Sequence, residues 1–212
     1  MDSVVMCRCG IHPAVKNKDG DYELCSECRT QQFSKEYARM NEEIGFGKKY
    51  ANASLNHFCD SIVVDLKRDT MDFKSASILF SGDSSTGKTY IMSAICNELL
   101  KQGVKTHEMV YMNVIELFAT IGRDITCFDE VVTLCADAKY LFLDEVTPAK
   151  TDWEHRALYL ILERRKNMSL VTFSTTNYDL QKLNGQIVSR LLDLNGVHYT
   201  MTRKSWNSYA KV

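Results

Sequence analysis

The tightest constraint on what this chain can fold into is a stretch of eight residues, Gly82-Asp83-Ser84-Ser85-Thr86-Gly87-Lys88-Thr89. It meets the pattern G-x-x-x-x-G-K-[ST] at every fixed position. The apolar run Ile78-Leu79-Phe80 lies just before it, and residues 90–100 after it place Ile91, Ala94, Ile95 and Leu99 on one helical face. Strand, loop and helix thus follow in the order that phosphate binding requires. The glycines let the backbone curl so that successive N–H groups face one concavity, and the helix N-terminus adds its dipole. Lys88 is expected to bridge the β- and γ-phosphates of a nucleoside triphosphate, and the Thr89 hydroxyl to ligate Mg²⁺. The expected nucleotide-binding set runs from Gly82 through Thr89 and takes in Tyr90.

Further along, short apolar runs alternate with longer helix-like stretches. Residues 109–112, 140–143 and 170–173 read as strands, and 114–121 and 155–166 as helices. Strands apolar at every position and separated by helices point to a parallel sheet covered on both faces. The strand 140–143 runs into Asp144-Glu145. In such a sheet ligands lie at the carboxyl ends of the strands, so both acids are expected beside the phosphates. Asp144 is positioned to orient Mg²⁺, and Glu145 to polarise the attacking water. The strand 170–173 continues to Thr176-Asn177, which puts the Asn177 amide near the γ-phosphate. An ordinary loop asparagine is the competing reading there.

Together these residues resemble the AAA+ ATPases, and within them the DnaC/DnaI helicase loaders and the related IstB transposition helpers. The resemblance covers roughly residues 44–212. The stretch from Lys48 to Phe58 is similar to the segment that borders the adenine in that family. Asp144-Glu145 resembles its Walker B pair, and Thr176-Asn177 its sensor 1. Gly185-Gln-Ile-Val-Ser-Arg190-Leu191 resembles the helix carrying its arginine finger, and Ser205-Trp206-Asn207-Ser208-Tyr209 its terminal W-x-S-Y signature. The implied fold is α/β: an AAA+ P-loop NTPase with a three-layer parallel sheet. Few residues follow Arg190, so neither a helical lid nor a sensor 2 arginine is expected. The implied chemistry is ATP hydrolysis, slow unless a partner stimulates it, with Glu145, Asn177 and Arg190 as catalytic residues. Arg190 would act on a neighbouring subunit's nucleotide, which implies a homo-oligomer with ATP at its junctions. An ordinary surface arginine at a helix end is the alternative reading.

Four of the eight cysteines fall within the first 28 residues, as Cys7-x-Cys9 and Cys25-x-x-Cys28. Four thiolates suffice for tetrahedral Zn²⁺, although C-x-C is tighter than the usual knuckle, and His12 is an alternative ligand. So short a segment buries little core, and a bound metal would contribute the missing folding energy. Unligated thiols or a redox dithiol are the other readings. The remaining cysteines, Cys59, Cys96, Cys127 and Cys135, look like small buried hydrophobes. Gly45-Phe46-Gly47 reads as a flexible joint, dividing an N-terminal module, 1–43, from an ATPase domain, 44–212. By resemblance to DnaI-like loaders, the module would contact a replicative DnaB-type helicase.

Composition and charge narrow the partners. The chain of 212 residues has a formal net charge of −1, which argues against bulk electrostatic coating of nucleic acid. Residues 1–50 carry 8 basic and 8 acidic side chains, so the module has no footprint for phosphate, whereas 151–212 carry 9 and 5. Arg164-Arg165-Lys166 suits a helix C-terminal dipole. With Arg203, Lys204 and Trp206 it also suits a path for single-stranded DNA, and Phe118 suits either that path or the core. The longest apolar run, 157–162, is far short of the ~20 residues of a membrane span. With no secretion signal visible, a cytoplasmic protein of a bacterium or phage-infected host is expected. The reading that gathers these features is a helicase loader controlled by ATP. An IstB-like transposition helper and an adaptor that binds ATP without hydrolysing it share the same motifs.

Overall fold

Each strand of the larger unit ends where the chain turns toward a helix, and that alternation sets the architecture. The structure is a computed structural model; it describes residues 5–7, 11, 13–18, 21–74, 77–192 and 196–205, without the side chains of 26, 27 and 29–33. Two short strands, β1 (Val15–Lys16) and β2 (Tyr22–Glu23), pair antiparallel. Helices α1 (Ser26–Ile44) and α2 (Asp60–Thr70) follow. Then come β3 (Ile78–Ser81), α3 (Lys88–Lys101), β4 (Met109–Asn113), α4 (Val114–Arg123), α5 (Phe128–Asp137) and β5 (Tyr140–Asp144). The chain continues through α6 (Asp152–Asn167), β6 (Val171–Thr176), α7 (Gly185–Leu191) and β7 (Val197–Thr200).

The five later strands form one parallel sheet in the order β4-β5-β6-β3-β7. The chain leaves β3 in the interior of the sheet and returns at the β4 edge, so the crevice above β3 opens at the carboxyl ends of the strands. Successive side chains of a strand point to opposite faces, and both faces here are covered. Ile78, Phe80, Tyr140 and Phe142 pack with Ile91, Ile95 and Leu99 of α3. Leu79, Leu141 and Leu143 pack with residues of α4, α6 and α7. Phe142 and Phe173 stack across neighbouring strands at 4.8 Å between centroids, and burying each such ring stabilises the fold by about 1.5–3 kcal/mol. Among the described residues no helix is long and apolar enough to cross a membrane.

The expected three-layer α/β sheet is therefore present, with differences at its edges. Helix α6 starts at Asp152, three residues before the expected start. Thr151 and Glu154 form a capping box there, the Thr151 N–H donating to Glu154 Oε2 at 3.0 Å. Helix α1 begins at the cysteines themselves, with Cys25 as its N-cap. Helices α2 and α5 and the β1–β2 hairpin were not anticipated by pattern alone.

The supposed joint at Gly45-Phe46-Gly47 is a packed corner. Both glycines take positive φ, 113° and 83°, and this turns Phe46 inward. Its ring lies 4.4 Å from that of Tyr111 and 5.1 Å from that of Phe142. Asn41 is fully buried and its amide donates to Asn97 Oδ1 at 2.8 Å. Packing thus runs unbroken from the last turns of α1 into the larger unit.

The basic run at the end of α6 also divides differently from its sequence. Arg165 is 1% exposed and donates to Thr172 Oγ1 at 2.8 Å and to the carbonyls of Cys135, Ala138 and Val171 at 2.9, 2.6 and 2.5 Å. It is a buried clamp joining α5, α6 and β6, not a cation offered to nucleic acid. Arg164 pairs with Asp137 at 2.6 Å on the surface. Phe118 is half-buried and packs edge-on against Trp153 at 5.8 Å, at the margin of the core. Cys96 and Cys135 are buried as expected, whereas Cys59 and Cys127 are only half-buried.

Candidate functional site

The loop after β3 is bent by residues few other sequences could supply. Gly82 has φ of 140°, and a Cβ there would lie 2.2 Å from the Met201 carbonyl, so nothing larger than glycine fits beside β7. Ser85 and Gly87 also take positive φ, 62° and 93°. The loop then enters α3 at Lys88, which sets the positive end of the helix dipole at its mouth.

Lys88 is 6% exposed and folds back over the loop, its ammonium donating to the carbonyls of Gly82 and Asp83 at 2.8 and 2.6 Å. Burial pushes its pKa down, and the charges of Asp144, Asp83 and Glu145 offset this only in part. A desolvated cation served mainly by neutral carbonyls, inside a curl of backbone N–H groups, suits a polyphosphate that brings the missing negative charge.

Asp144 ends β5 at 3% exposure. Thr89 Oγ1 donates to its Oδ2 at 2.9 Å, Tyr111 OH to the same oxygen at 2.8 Å, and Thr175 Oγ1 to Oδ1 at 2.5 Å. Burial first, and then the Asp144 charge, push the Tyr111 hydroxyl far above the usual phenol range, so it acts as a donor. Thr89 and Asp144 bring a hydroxyl and a carboxylate, both oxygen ligands, to one point of the cleft, a donor set that fits Mg²⁺ once the Thr89 hydrogen turns away from the carboxylate. Glu145 takes the left-handed conformation, φ 57°, a strain of order 1–3 kcal/mol. Its N–H donates to Thr175 Oγ1 at 2.8 Å, and its Oε2 accepts from the Asn113 amide at 2.9 Å.

These groups line a cleft of about 310 Å³ formed by Tyr50, Ser84, Ser85, Gly87, Lys88, Thr89, Tyr90, Asp144, Glu145, Thr175 and Asn177. Most of the expected nucleotide set is on this wall. Gly82, Asp83 and Thr86 shape the loop from behind, Thr86 by donating to the Asp83 carbonyl at 2.8 Å. Asn177 is on the wall and exposed, whereas Thr176 turns away to donate to the Val146 carbonyl at 2.8 Å. The strand alternation puts Thr175 on the cleft side, and that period of two was the available signal for it. Tyr111 and Asn113 were also missed; their register opposite Phe142 and Asp144 is a matter of strand pairing. Asn97 was missed as well. Its amide donates to the Ala53 carbonyl at 2.9 Å and so holds the 48–58 segment against α3 at the cleft rim.

Arg190 lies outside this cleft. Its Nε donates to Glu163 Oε2 at 2.5 Å, its Nη1 to the Gln186 carbonyl at 2.8 Å, and its guanidinium lies 4.0 Å over the Tyr159 ring. With the side chain 15% exposed, it is tied to α6 within its own chain. Near the start of α1 the sulfurs of Cys7, Cys25 and Cys28 lie within 4.8 Å of one another. The N–H of Cys25 donates to Cys7 Sγ at 3.1 Å, and that of Cys28 to Cys25 Sγ at 3.4 Å. Converging sulfurs that accept backbone N–H bonds fit a thiolate-bound zinc. Cys9 and His12, like Trp206 to Tyr209, lie outside the described residues.

Comparison with known proteins agrees with this geometry. The model of a family described as "ATPase family associated with various cellular activities (AAA)" matches residues 78–197. The replicative helicase loader DnaC of Escherichia coli K12 is 24% identical over 127 residues, 59% of this chain and 52% of that protein. The chain thus spans about half the length of that curated relative. A putative primosome component from Streptococcus pyogenes superposes with a TM-score of 0.61 at 20% identity, over 78% of this chain and 96% of that one. The crystal structure of DnaI superposes with a TM-score of 0.60 at 22% identity, over 74% and 94%. At these identities the two structures speak for the fold.

Proposed function

Because the chain belongs to the AAA family of ATPases, we propose that it binds ATP with magnesium in the cleft above β3. In this reading it uses nucleotide state to load a hexameric DnaB-type replicative helicase onto single-stranded DNA when replication starts. The observation that carries the nucleotide half is the convergence of Lys88, Thr89 and Asp144 on one cleft. The loader half is supported by the relative named as a replicative helicase loader and by the fold shared with a putative primosome component. Residues 1–43 would be the helicase-contacting module, held by zinc on Cys7, Cys9, Cys25 and Cys28. The place of action would be the cytoplasm of a bacterial cell or a phage-infected host.

The side chains have distinct tasks in this reading. Lys88 exchanges the loop carbonyls for the β- and γ-phosphate oxygens. Thr89 and Asp144 would hold magnesium, which supplies positive charge to the β- and γ-phosphates. Glu145, released from Asn113, accepts the proton of the water that attacks the γ-phosphorus as ADP departs, and Asn177 orients that water. Arg190 exchanges Glu163 for the γ-phosphate of a neighbouring subunit, where a guanidinium is worth about 10³–10⁵ in rate in related systems. The pinning of Glu145 on Asn113 and of Arg190 on Glu163 supports slow turnover by the chain alone, and it equally favours an adaptor that only binds ATP.

Single-turnover phosphate release from the full chain, with and without a DnaB-type helicase and single-stranded DNA, separates these readings. A loader forms a complex with the helicase and releases phosphate faster in its presence. No complex would overturn the loader reading, and a complex with no release would leave the adaptor.

A further inference from the structure

Asp144 has more hydrogen-bond support than a strand-end carboxylate needs for folding. Two of its three hydroxyl donors, Thr89 and Thr175, come from elements already at the cleft; the third, Tyr111, comes from β4. Tyr111 and Thr175 approach opposite oxygens of the carboxylate, so together they fix its rotation and leave the remaining lone pairs toward Thr89. The Tyr111 hydroxyl is therefore part of the shell that orients a candidate metal ligand.

What holds Tyr111 lies at the end of α1. The Phe46 ring packs on the Tyr111 ring at 4.4 Å. A Cβ on Gly45 would stand 3.1 Å from the Tyr111 carbonyl, and with φ at 113° the position suits only glycine. The N–H groups of Gly45 and Gly47 both donate to the Asn41 carbonyl, at 3.0 and 3.1 Å. The Asn41 side chain is bolted to α3 through Asn97 and through Ser93, whose hydroxyl donates to Asn41 Oδ1 at 3.2 Å. One continuous set of contacts thus joins the end of the N-terminal helix to the Asp144 carboxylate.

We propose that Tyr111 is a positioning residue for Asp144, and that the packed end of α1, through Phe46, sets Tyr111 and with it the affinity of the cleft for a divalent cation beside nucleotide. The inference rests on the reading of the cleft as a magnesium–nucleotide site.

The test is a Mg²⁺ titration of the full chain with a fluorescent, non-hydrolysable ATP analogue, read as equilibrium binding. Tyr111→Phe keeps the ring and removes the hydroxyl. It should leave analogue affinity in EDTA within about twofold of wild type and raise the Mg²⁺ concentration at half-saturation roughly tenfold, as loss of a partner behind a metal ligand does. A general loss of fold would lower affinity in EDTA too. Phe46→Leu should shift the Mg²⁺ curve the same way by less, and the double variant should move no further than Tyr111→Phe alone, because both act through one contact. An unmoved Mg²⁺ curve in Tyr111→Phe, or fully additive shifts, would overturn this inference alone. A wild-type chain that bound no analogue at any Mg²⁺ concentration would overturn the nucleotide reading and this inference with it.

Discussion

Arg165 offers the sharpest quantitative test, because its neighbours in sequence share its charge and not its environment. In Arg165→Leu the apolar stem is largely replaced, while the Thr172 hydroxyl and the carbonyls of Cys135, Ala138 and Val171 lose their donor. Each unmet buried acceptor costs about 1–3 kcal/mol, offset by no longer burying a guanidinium, whose pKa is pushed down to about 10 chiefly by desolvation. Four neutral acceptors left unmet, less the desolvation recovered, amount to a net loss of about 3–5 kcal/mol. At about 2–4 °C per kcal/mol for a chain of this size, the melting temperature should fall by roughly 6–20 °C. Arg164→Ala, one residue away, removes only a surface pair with Asp137 and should cost about 0–1 kcal/mol. Urea denaturation followed by circular dichroism measures both. If the two variants lost equal stability, or Arg165→Leu lost less than about 1 kcal/mol, the buried clamp would be refuted. The clamp also implies that single-stranded DNA affinity is not carried by Arg165.

Lys88→Ala should reduce ATP binding by roughly a hundredfold or more, since a charge-assisted contact to phosphate in a desolvated loop is lost; calorimetry with unchanged affinity would remove the phosphate-loop assignment. Arg190→Ala should bind ATP normally and lose stimulated phosphate release by about 10³-fold or more. Stimulated rates at the wild-type level in that variant would show that the Glu163–Arg190 pair only joins α6 to α7. Elemental analysis should find about one zinc per chain, and Cys25→Ser should lose the metal while keeping nucleotide affinity. Full zinc content in Cys25→Ser would refute a site built on that thiolate.

Much of the fold was legible because its signals are local. The run Ile78 to Phe80, the glycines of the loop and the spacing of Ile91, Ala94, Ile95 and Leu99 each report backbone conformation over a few residues. They sufficed for the strand–loop–helix unit and, with the β5 ending, for placing Lys88, Thr89, Asp144 and Glu145 around one cleft. Errors arose where conformation and packing part company. Gly45-Phe46-Gly47 has the composition of a hinge, yet the same positive φ values that permit flexibility also steer Phe46 into the core. Arg164-Arg165-Lys166 is uniform in charge, but the helical turn points only the middle residue inward.

What belonged to the sequence by itself was the set of groups available: a glycine-bent loop before a helix, a hydroxyl at its end, two carboxylates at a strand end, and paired thiols. Tertiary structure alone decided which of these meet and what restrains them. Tyr111, Asn113 and Thr175 reach Asp144 and Glu145 because β4, β5 and β6 lie side by side in a definite register. A strand's own period can say which face a side chain takes, as at Thr175, but not which partner 30 or more residues away it meets; that is decided only when strand order brings the two within hydrogen-bonding reach.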